Sequence, residues 1–444
     1  MDNLTPTKLA LISRRAREDS KLQFTSLAHL LNAGFLRECY RSLGKEKAAG
    51  IDGKSWHEYG ENLDENLFNL VERLKAKKYK PLPAKRVYIP KNDKETRPLG
   101  LPATEDKIVQ KGIARILEAI YEADFMDCSY GFRPGRSCHQ ALKALNDTIM
   151  FKPVSYVIEA DIKGFFDHVS HDWMMKFLSA RIRDSSLLLL IRRFLKAGYS
   201  ESGLLVRTEQ GTPQGGNLSP MLANIFLHYV LDLWFDKHVK PQVRGQCHLV
   251  RYADDFICMV QYHQSAVEIE RMLRERFAKF GLRLHPEKTR TISFGRFERQ
   301  NASRQGRKAN TFDFLGFTHY CGRSRRGKFM VGRKTSVKKF RKACRQMNNW
   351  LRQVRCVKRI HDIWVVLSSK LRGHYNYFGV SGNSRMITKF GFLVVRMVKK
   401  WLNRRSQRKS FTWKQMRAYL RHYPLPRPRI VHNWYKPSWL RETG

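Results

Sequence analysis

Two apolar periods run through the chain. Val154, Tyr156 and Ile158 alternate with Ser155, Val157 and Glu159, a period-two pattern that predicts a strand ending near Asp161. Leu249–Val260 reads LVRYADDFICMV, two short β-branched and aromatic runs around Asp254 and Asp255. That predicts a hairpin with the acids at its turn. Helical spacing marks Leu27, Leu30, Leu31 and Phe35 near the start, and Leu351, Val354, Val357 and Ile360 later, the second stripe being expected to form core. From Arg296 the stretch RFERQNASRQGRKAN predicts an exposed loop. Helices are expected from Thr335 to about Gln407, and a Pro-rich basic segment, PLPRPRIVHNWYKP, closes the chain.

Asp254 and Asp255 change what the hairpin is for. Adjacent like charges repel, and a plain turn accommodates Asp without needing two. Carboxylates lifted onto a hairpin tip make a hard-oxygen site for Mg²⁺, which offsets their repulsion. Asp161, at a strand end, supplies a third. Such a set would hold two Mg²⁺ ions roughly 3.5–4 Å apart, the arrangement for in-line phosphoryl displacement.

Charge then indicates the partner. The chain carries 84 Lys+Arg against 39 Asp+Glu, a formal +45. A polyanion is implied, nucleic acid or an acidic membrane. The densest apolar run, Leu187–Ile191, stops at Arg192, far short of the ~20 residues of a membrane span, and no cleavable signal opens the chain. Eight cysteines without a C-x-x-C pair suit a reduced, cytosolic protein. The excess is concentrated: residues 296–444 hold +34 and the first 295 only +11. Trp350, Trp364, Tyr375, Tyr377 and Trp401 lie among these cations, a mixture that suits RNA binding by pairing and stacking.

The ordered set AAGIDG (48–53), VYIPKNDKETRPLGLP (87–102), SYGFRPGRSCHQAL (129–142), EADIKGFFD (159–167), QGTPQGGNLSPMLANIFLH (210–228), RYADDF (251–256), GLRLHPEKT (281–289) and FDFLGF (312–317) resembles the group II intron reverse transcriptases, the intron-encoded maturases. LRGHYNYFG (371–379) looks like the core of that family's maturase domain. The resemblance covers nearly the whole chain. It implies an α+β fold, a right-hand polymerase with fingers and an antiparallel-sheet palm, followed by a helical thumb and maturase domain. The implied division is an N-terminal extension over 1–50, fingers and palm over 51–317, thumb and maturase domain over 335–407, and a basic C-terminal segment over 408–444. Nothing matches the nuclease domain that ends the family's longer members.

The resemblance also implies roles. Asp161, Asp254 and Asp255 match the metal-binding carboxylates, and the Ile162 carbonyl would be a further ligand. Lys91 and Arg97 match the residues that grip the incoming triphosphate; Arg binds phosphate bidentately and Lys as a point charge. Phe166, five residues after Asp161, stands at the sugar gate, where a ring excludes a 2′-hydroxyl at a cost of about 1–3 kcal/mol. Phe165 beside it reads as core. Gln214 and Gly215 would line the nucleotide pocket, glycine allowing close backbone approach. Lys288 is a candidate acid for the leaving pyrophosphate or a plain surface lysine. Phe314, Leu315, Gly316 and Phe317 match the primer grip. His168 and His171 read as non-catalytic, and His139 and Arg136 as part of a template-facing fingers segment rather than an acid–base pair.

The implied substrates are dNTPs and an RNA template with a DNA or RNA primer. The implied partners are structured intron RNA and target DNA, with no membrane, in the bacterial cytosol. Two readings stay open: an active RNA-directed DNA polymerase that assists splicing and intron mobility, or an RNA-binding splicing factor with a vestigial site. Intact Asp161, Asp254, Asp255, Phe166 and Gln214 favour the first. A relative recruited to defence or DNA repair would carry the same residues.

Overall fold

The computed structural model describes residues 4–90, 96–206, 208–212, 215–324, 326–405 and 411–434. The chain divides into two compact units, Met1–Ala141 with Ile158–Thr291, and Leu142–Val157 with Ile292–Gly444.

The strands around the first unit are β1 (Ala84–Pro90), β2 (Thr96–Leu101), β3 (Tyr156–Ala160), β4 (Tyr199–Glu201), β5 (Leu204–Val206), β6 (Cys247–Tyr252), β7 (Asp255–Val260) and β8 (Arg290–Ser293). They form two four-stranded sheets of order β2-β1-β4-β5 and β6-β7-β3-β8. β1 and β2 are antiparallel, with Ile89 opposite Arg97. β6 and β7 form the expected hairpin, with Tyr252 opposite Asp255. The helix Thr104–Tyr121 is buried along most of its length. Its Gly112 makes room for the N-terminal segment, since a Cβ there would lie 2.7 Å from Leu31 Cδ2. Tyr79 Oη and the Leu82 N–H both donate to the buried Asp106.

Leu27, Leu30, Leu31 and Phe35 are all buried, but not on one helix. A short 3₁₀ turn, Ala28–Leu30, precedes a helix Ala33–Arg41 capped by Asn32, whose side chain accepts from the Phe35 N–H. Asp184 fixes the break. Its carboxylate accepts from the N–H groups of Leu27 and Ala28 and also caps the helix Ser185–Lys196.

In the second unit β9 (Thr311–Phe314), β10 (Phe317–Arg323) and β11 (Phe329–Thr335) form a sheet of order β11-β10-β9. The helices Val337–Val354, Ile360–Phe378, Ser384–Leu402 and Trp413–His422 follow. They share a core that includes Met347, Leu351, Leu367, Phe390, Val394 and Met416.

Three expectations need correction here. The stretch after Arg296 is not simply a loop: it forms a helix, Glu298–Arg304, and Glu298 is buried, held by Ser293, Arg307 and the Asn310 N–H. Val357 does not join the apolar stripe. The helix ends at Val354, and Val357 is 82% exposed in the turn that follows. The aromatics among the basic residues are mostly not stacking platforms. Trp364 and Trp401 are buried with their Nε1–H groups donating to Tyr423 O and Asn348 Oδ1, and Tyr375 is buried as well. Tyr377 Oη donates to Leu315 O, and Trp350, half-buried, lies under the Lys370 ammonium.

The antiparallel hairpins, the mixed first unit and the helical region after Thr335 give the α+β architecture expected from the sequence.

Candidate active site

The β6–β7 hairpin closes through two residues, Ala253 and Asp254. Ala253 has φ of +57° and Asp254 does not share a positive φ. Positive φ at the first central position is a II′-type feature that glycine normally takes. The backbone of Gly131 presses against this turn, since a Cβ at 131 would stand 2.4 Å from the Ala253 nitrogen.

Arg251 underpins the turn. Its guanidinium is fully buried, and every N–H is used. Nε and Nη2 grip Asp232, Nη1 donates to Ala253 O (2.9 Å) and Asn224 Oδ1 (3.1 Å), and Nη2 donates to Ser129 Oγ (2.8 Å). Asp232 is equally buried, so the charge pair is complete within the protein. The backbone of 128–130 adds alongside β6, with the Arg251 N–H donating to Cys128 O and the Tyr130 N–H to Arg251 O. Sequence reasoning missed this network. Its signal was a lone arginine inside an apolar run.

Asp161 directly follows β3. The His285 N–H donates to Asp161 O (2.8 Å) and the Lys163 N–H to Arg283 O (2.9 Å), so these bonds flank an isolated Ile162–Leu284 bridge. The N–H and C=O of Ile162 therefore point away from Leu284. Lys288 Nζ lies 2.6 Å from Asp161 Oδ2.

Asp254 and Asp161 are electrostatic neighbours. The Asp254 carboxyl is raised above the ordinary aspartate value. Burial is the main cause, opposed by the residue's own N–H; Asp161 raises it further, while Arg97 and Arg251 lower it. The structure thus brings Asp161, Asp254 and Arg97 into one field. Asp255 starts β7 and is exposed. Among the described residues, no three His, Cys, Asp or Glu side chains gather closely enough to cage a metal ion. A half-buried pair of repelling carboxylates does fit a divalent cation, whose charge would relieve the repulsion. A cation at Asp161 Oδ2 would have to displace Lys288.

Phe166 lies in a 3₁₀ turn, Phe165–Asp167, entered through Gly164 at φ +57°. Phe165 is core, as expected, and the two rings meet edge to face at 5.3 Å. Phe166 lines a cleft of about 240 Å³ with Arg86, Gly100, Tyr199 and Thr212. The next loop is tied to this turn: the Thr212 N–H donates to Phe166 O (2.7 Å) and the Gly211 N–H to Val169 O (2.8 Å). His171 Nε2 donates to Gly211 O, and burial lowers the His171 pKa, so the ring is a neutral buttress. Gly215 has φ of +114°, and a Cβ there would meet Gly100 O at 2.6 Å. The close approach it allows is to β2. Lys91 and Gln214 lie outside the described residues.

The expected primer-grip residues belong to the second unit. Phe314 pairs with Phe317 across a two-residue turn, Leu315 and Gly316, both with positive φ. The two Phe rings are buried. What the hairpin offers outward is its turn, fastened by Tyr377 Oη on Leu315 O and the Ser336 N–H on Gly316 O.

Residues 89–319 match the reverse transcriptase (RNA-dependent DNA polymerase) family, more than half of the chain. The protein YkfC of Escherichia coli K12 is 33% identical over 285 residues, 57% of this chain and 75% of that protein. The chain belongs to the reverse transcriptase family. The group II intron-encoded protein LtrA of Lactococcus lactis subsp. cremoris is 40% identical over 229 residues, 51% of this chain and 38% of LtrA. An uncharacterized 91 kDa protein in the cob intron of Schizosaccharomyces pombe is 42% identical over 159 residues, 36% of this chain and 20% of that protein. The chain therefore spans well under half the length of several relatives it matches. Among the described residues, no helix is long and apolar enough to cross a membrane.

Proposed function

We propose that the chain is an RNA-directed DNA polymerase that extends a DNA or RNA primer on an RNA template from dNTPs. The observation that carries this reading is the approach of Asp161 and Asp254, one at the end of β3 and one on the β6–β7 turn, with Arg97 in their field. Members of the family use a divalent metal. Here Asp161 and Asp254 would hold it, with Asp255 and the Ile162 carbonyl as further oxygens. Two Mg²⁺ ions held there would supply charge stabilisation to the attacking and leaving oxygens of a phosphoryl displacement.

The chain's own groups do the rest. Arg251 fixes the turn that presents Asp254. Arg97, exposed on β2, offers a planar donor fork to a triphosphate. Lys91, Gln214 and Gly215 complete the nucleotide site, Phe166 excludes a 2′-hydroxyl, and Lys288, once displaced from Asp161, is free to donate to pyrophosphate. The primer-grip role falls to the 314–317 turn.

The second part of the proposal is a maturase role. The names of LtrA and of the cob-intron protein place those relatives in introns, and the net charge of +34 over residues 296–444 supports binding to structured RNA. Intron RNA and target DNA are the proposed partners, in splicing and retrotransposition in the bacterial cytosol. Residues 1–50 serve as the N-terminal extension, 51–317 as fingers and palm, 335–407 as thumb and maturase domain, and 408–444 as the basic tail.

The test is primer extension by the purified chain on an RNA template, with Mg²⁺ and with chelator. Extension with Mg²⁺ and none with chelator is expected. RNA binding without extension under either condition would overturn the polymerase reading and leave a splicing factor.

A further inference from the structure

Phe132 has φ of +55°, and the residue is 58% exposed. A bulky residue with left-handed backbone is an outlier, and glycine would take this conformation without strain. Such strain persists only where the surroundings over-determine it, and it concentrates at functional sites.

The surroundings are rigid on both sides. Before Phe132, the Gly131 backbone abuts the Ala253 nitrogen, and Asn224 Nδ2 donates to Gly131 O (2.7 Å). After it, Arg133 is buried and uses all its donors. Nε and Nη2 grip Glu122, Nη1 donates to Met126 O (2.7 Å) and Ser129 O (2.8 Å), and Nη2 donates to Phe125 O (3.3 Å). Ser129 joins the two clamps. Its carbonyl accepts from Arg133 and its hydroxyl from Arg251, the residue that fastens the catalytic turn. Two saturated arginines thus hold a strained residue, one peptide away from the turn that carries Asp254.

Backbone geometry alone would favour glycine here. Instead the strained backbone presents an exposed ring beside the turn that carries Asp254. We propose that Phe132 is a nucleotide-contact residue, its exposed ring packing on a base of the primer–template at the catalytic turn. Aromatic faces suit that task because every base has a π-face, so contact is strong and tolerant of sequence. The inference rests on the polymerase reading, which puts a primer–template beside Asp254.

The test uses the full chain and three variants, F132G, F132A and F132Y. The probe is an RNA template annealed to a DNA primer with 2-aminopurine at its terminal base pair. F132G should keep or raise the thermal midpoint, because it relieves the backbone strain. F132G and F132A should nevertheless weaken primer–template binding about 5- to 150-fold and lose the ring-dependent change in 2-aminopurine fluorescence. F132Y should retain both. A merely structural role would lower the thermal midpoint and leave the fluorescence signature alone. If wild type extends the primer while F132G binds it equally well, the contact role is overturned and the polymerase reading stands. If wild type neither binds nor extends it, both fall.

Discussion

Lys288 Nζ sits 2.6 Å from Asp161 Oδ2, so the strand-end carboxylate of the candidate metal site meets an ammonium of its own chain. Both groups are partly exposed, and such pairs contribute little, about 0.2–1 kcal/mol. A cation that displaces Lys288 must overcome that much. Lys288→Ala should therefore lower the Mg²⁺ concentration for half-maximal extension roughly 1.4- to fivefold. A Mg²⁺ titration of extension rate checks it; an unchanged midpoint would mean that the ammonium does not compete with the ion.

Phe166 should set sugar selectivity. Its ring lines the cleft beside Gly100 and Thr212, on a turn fixed by the Thr212 N–H. Phe166→Val should admit ribonucleotides, relaxing dNTP over rNTP preference by about 10- to 200-fold. Competing single-nucleotide incorporation measures this, and a preference equal to wild type would remove Phe166 from the gate.

The hairpin and the strand before Asp161 were legible because apolar alternation is local and the acidic pair interrupts it abruptly. Arg251 was not. A charge within LVRYADD takes its meaning from Asp232, Ser129 and Asn224, far away in sequence. The tryptophans misled for a related reason. Trp401 is next to Lys399 and Lys400, but its ring enters the core with the Lys400 ammonium and the Arg355 and Arg404 guanidinium groups over it, so the aromatic face is occupied within the chain. The stripe through Val357 failed where a helix ended, a boundary with no strong stop signal.

The basic helix Val337–Val354 keeps Lys338, Lys339, Arg341, Arg345 and Arg352 exposed. If it anchors RNA, log affinity falls linearly with log salt, by about 0.7 per phosphate contact on a single strand. Replacing four of these residues should flatten that slope and weaken RNA binding more than single-nucleotide addition at saturating template. A salt titration of binding to structured RNA tests it; an unchanged slope would place the RNA elsewhere.

Asp106 gives the fold a pH dependence. Burial pushes its carboxyl up to about 7, although the Tyr79 hydroxyl and the Leu82 N–H favour the charged form. The folded pKa lies above the ordinary aspartate value of 3.8. The folded state therefore binds this proton more tightly than the unfolded state, and its stabilisation is fully present below about pH 4. It is lost as pH rises through about 7. Asp106→Asn should flatten stability between pH 5 and 8 in denaturant melts. A variant slope equal to wild type would remove Asp106 as the source.

The polymerase reading rests on Asp254, held by the Arg251-fastened turn with Asp161 in its electrostatic field. The most direct measurement is single-turnover extension of a DNA primer on an RNA template by wild type and Asp254→Asn, with primer–template affinity measured in parallel. Wild type should add dNTPs in Mg²⁺. Asp254→Asn should bind the same duplex about equally well and add none. Extension by Asp254→Asn at the wild-type rate would remove Asp254 from the polymerase centre.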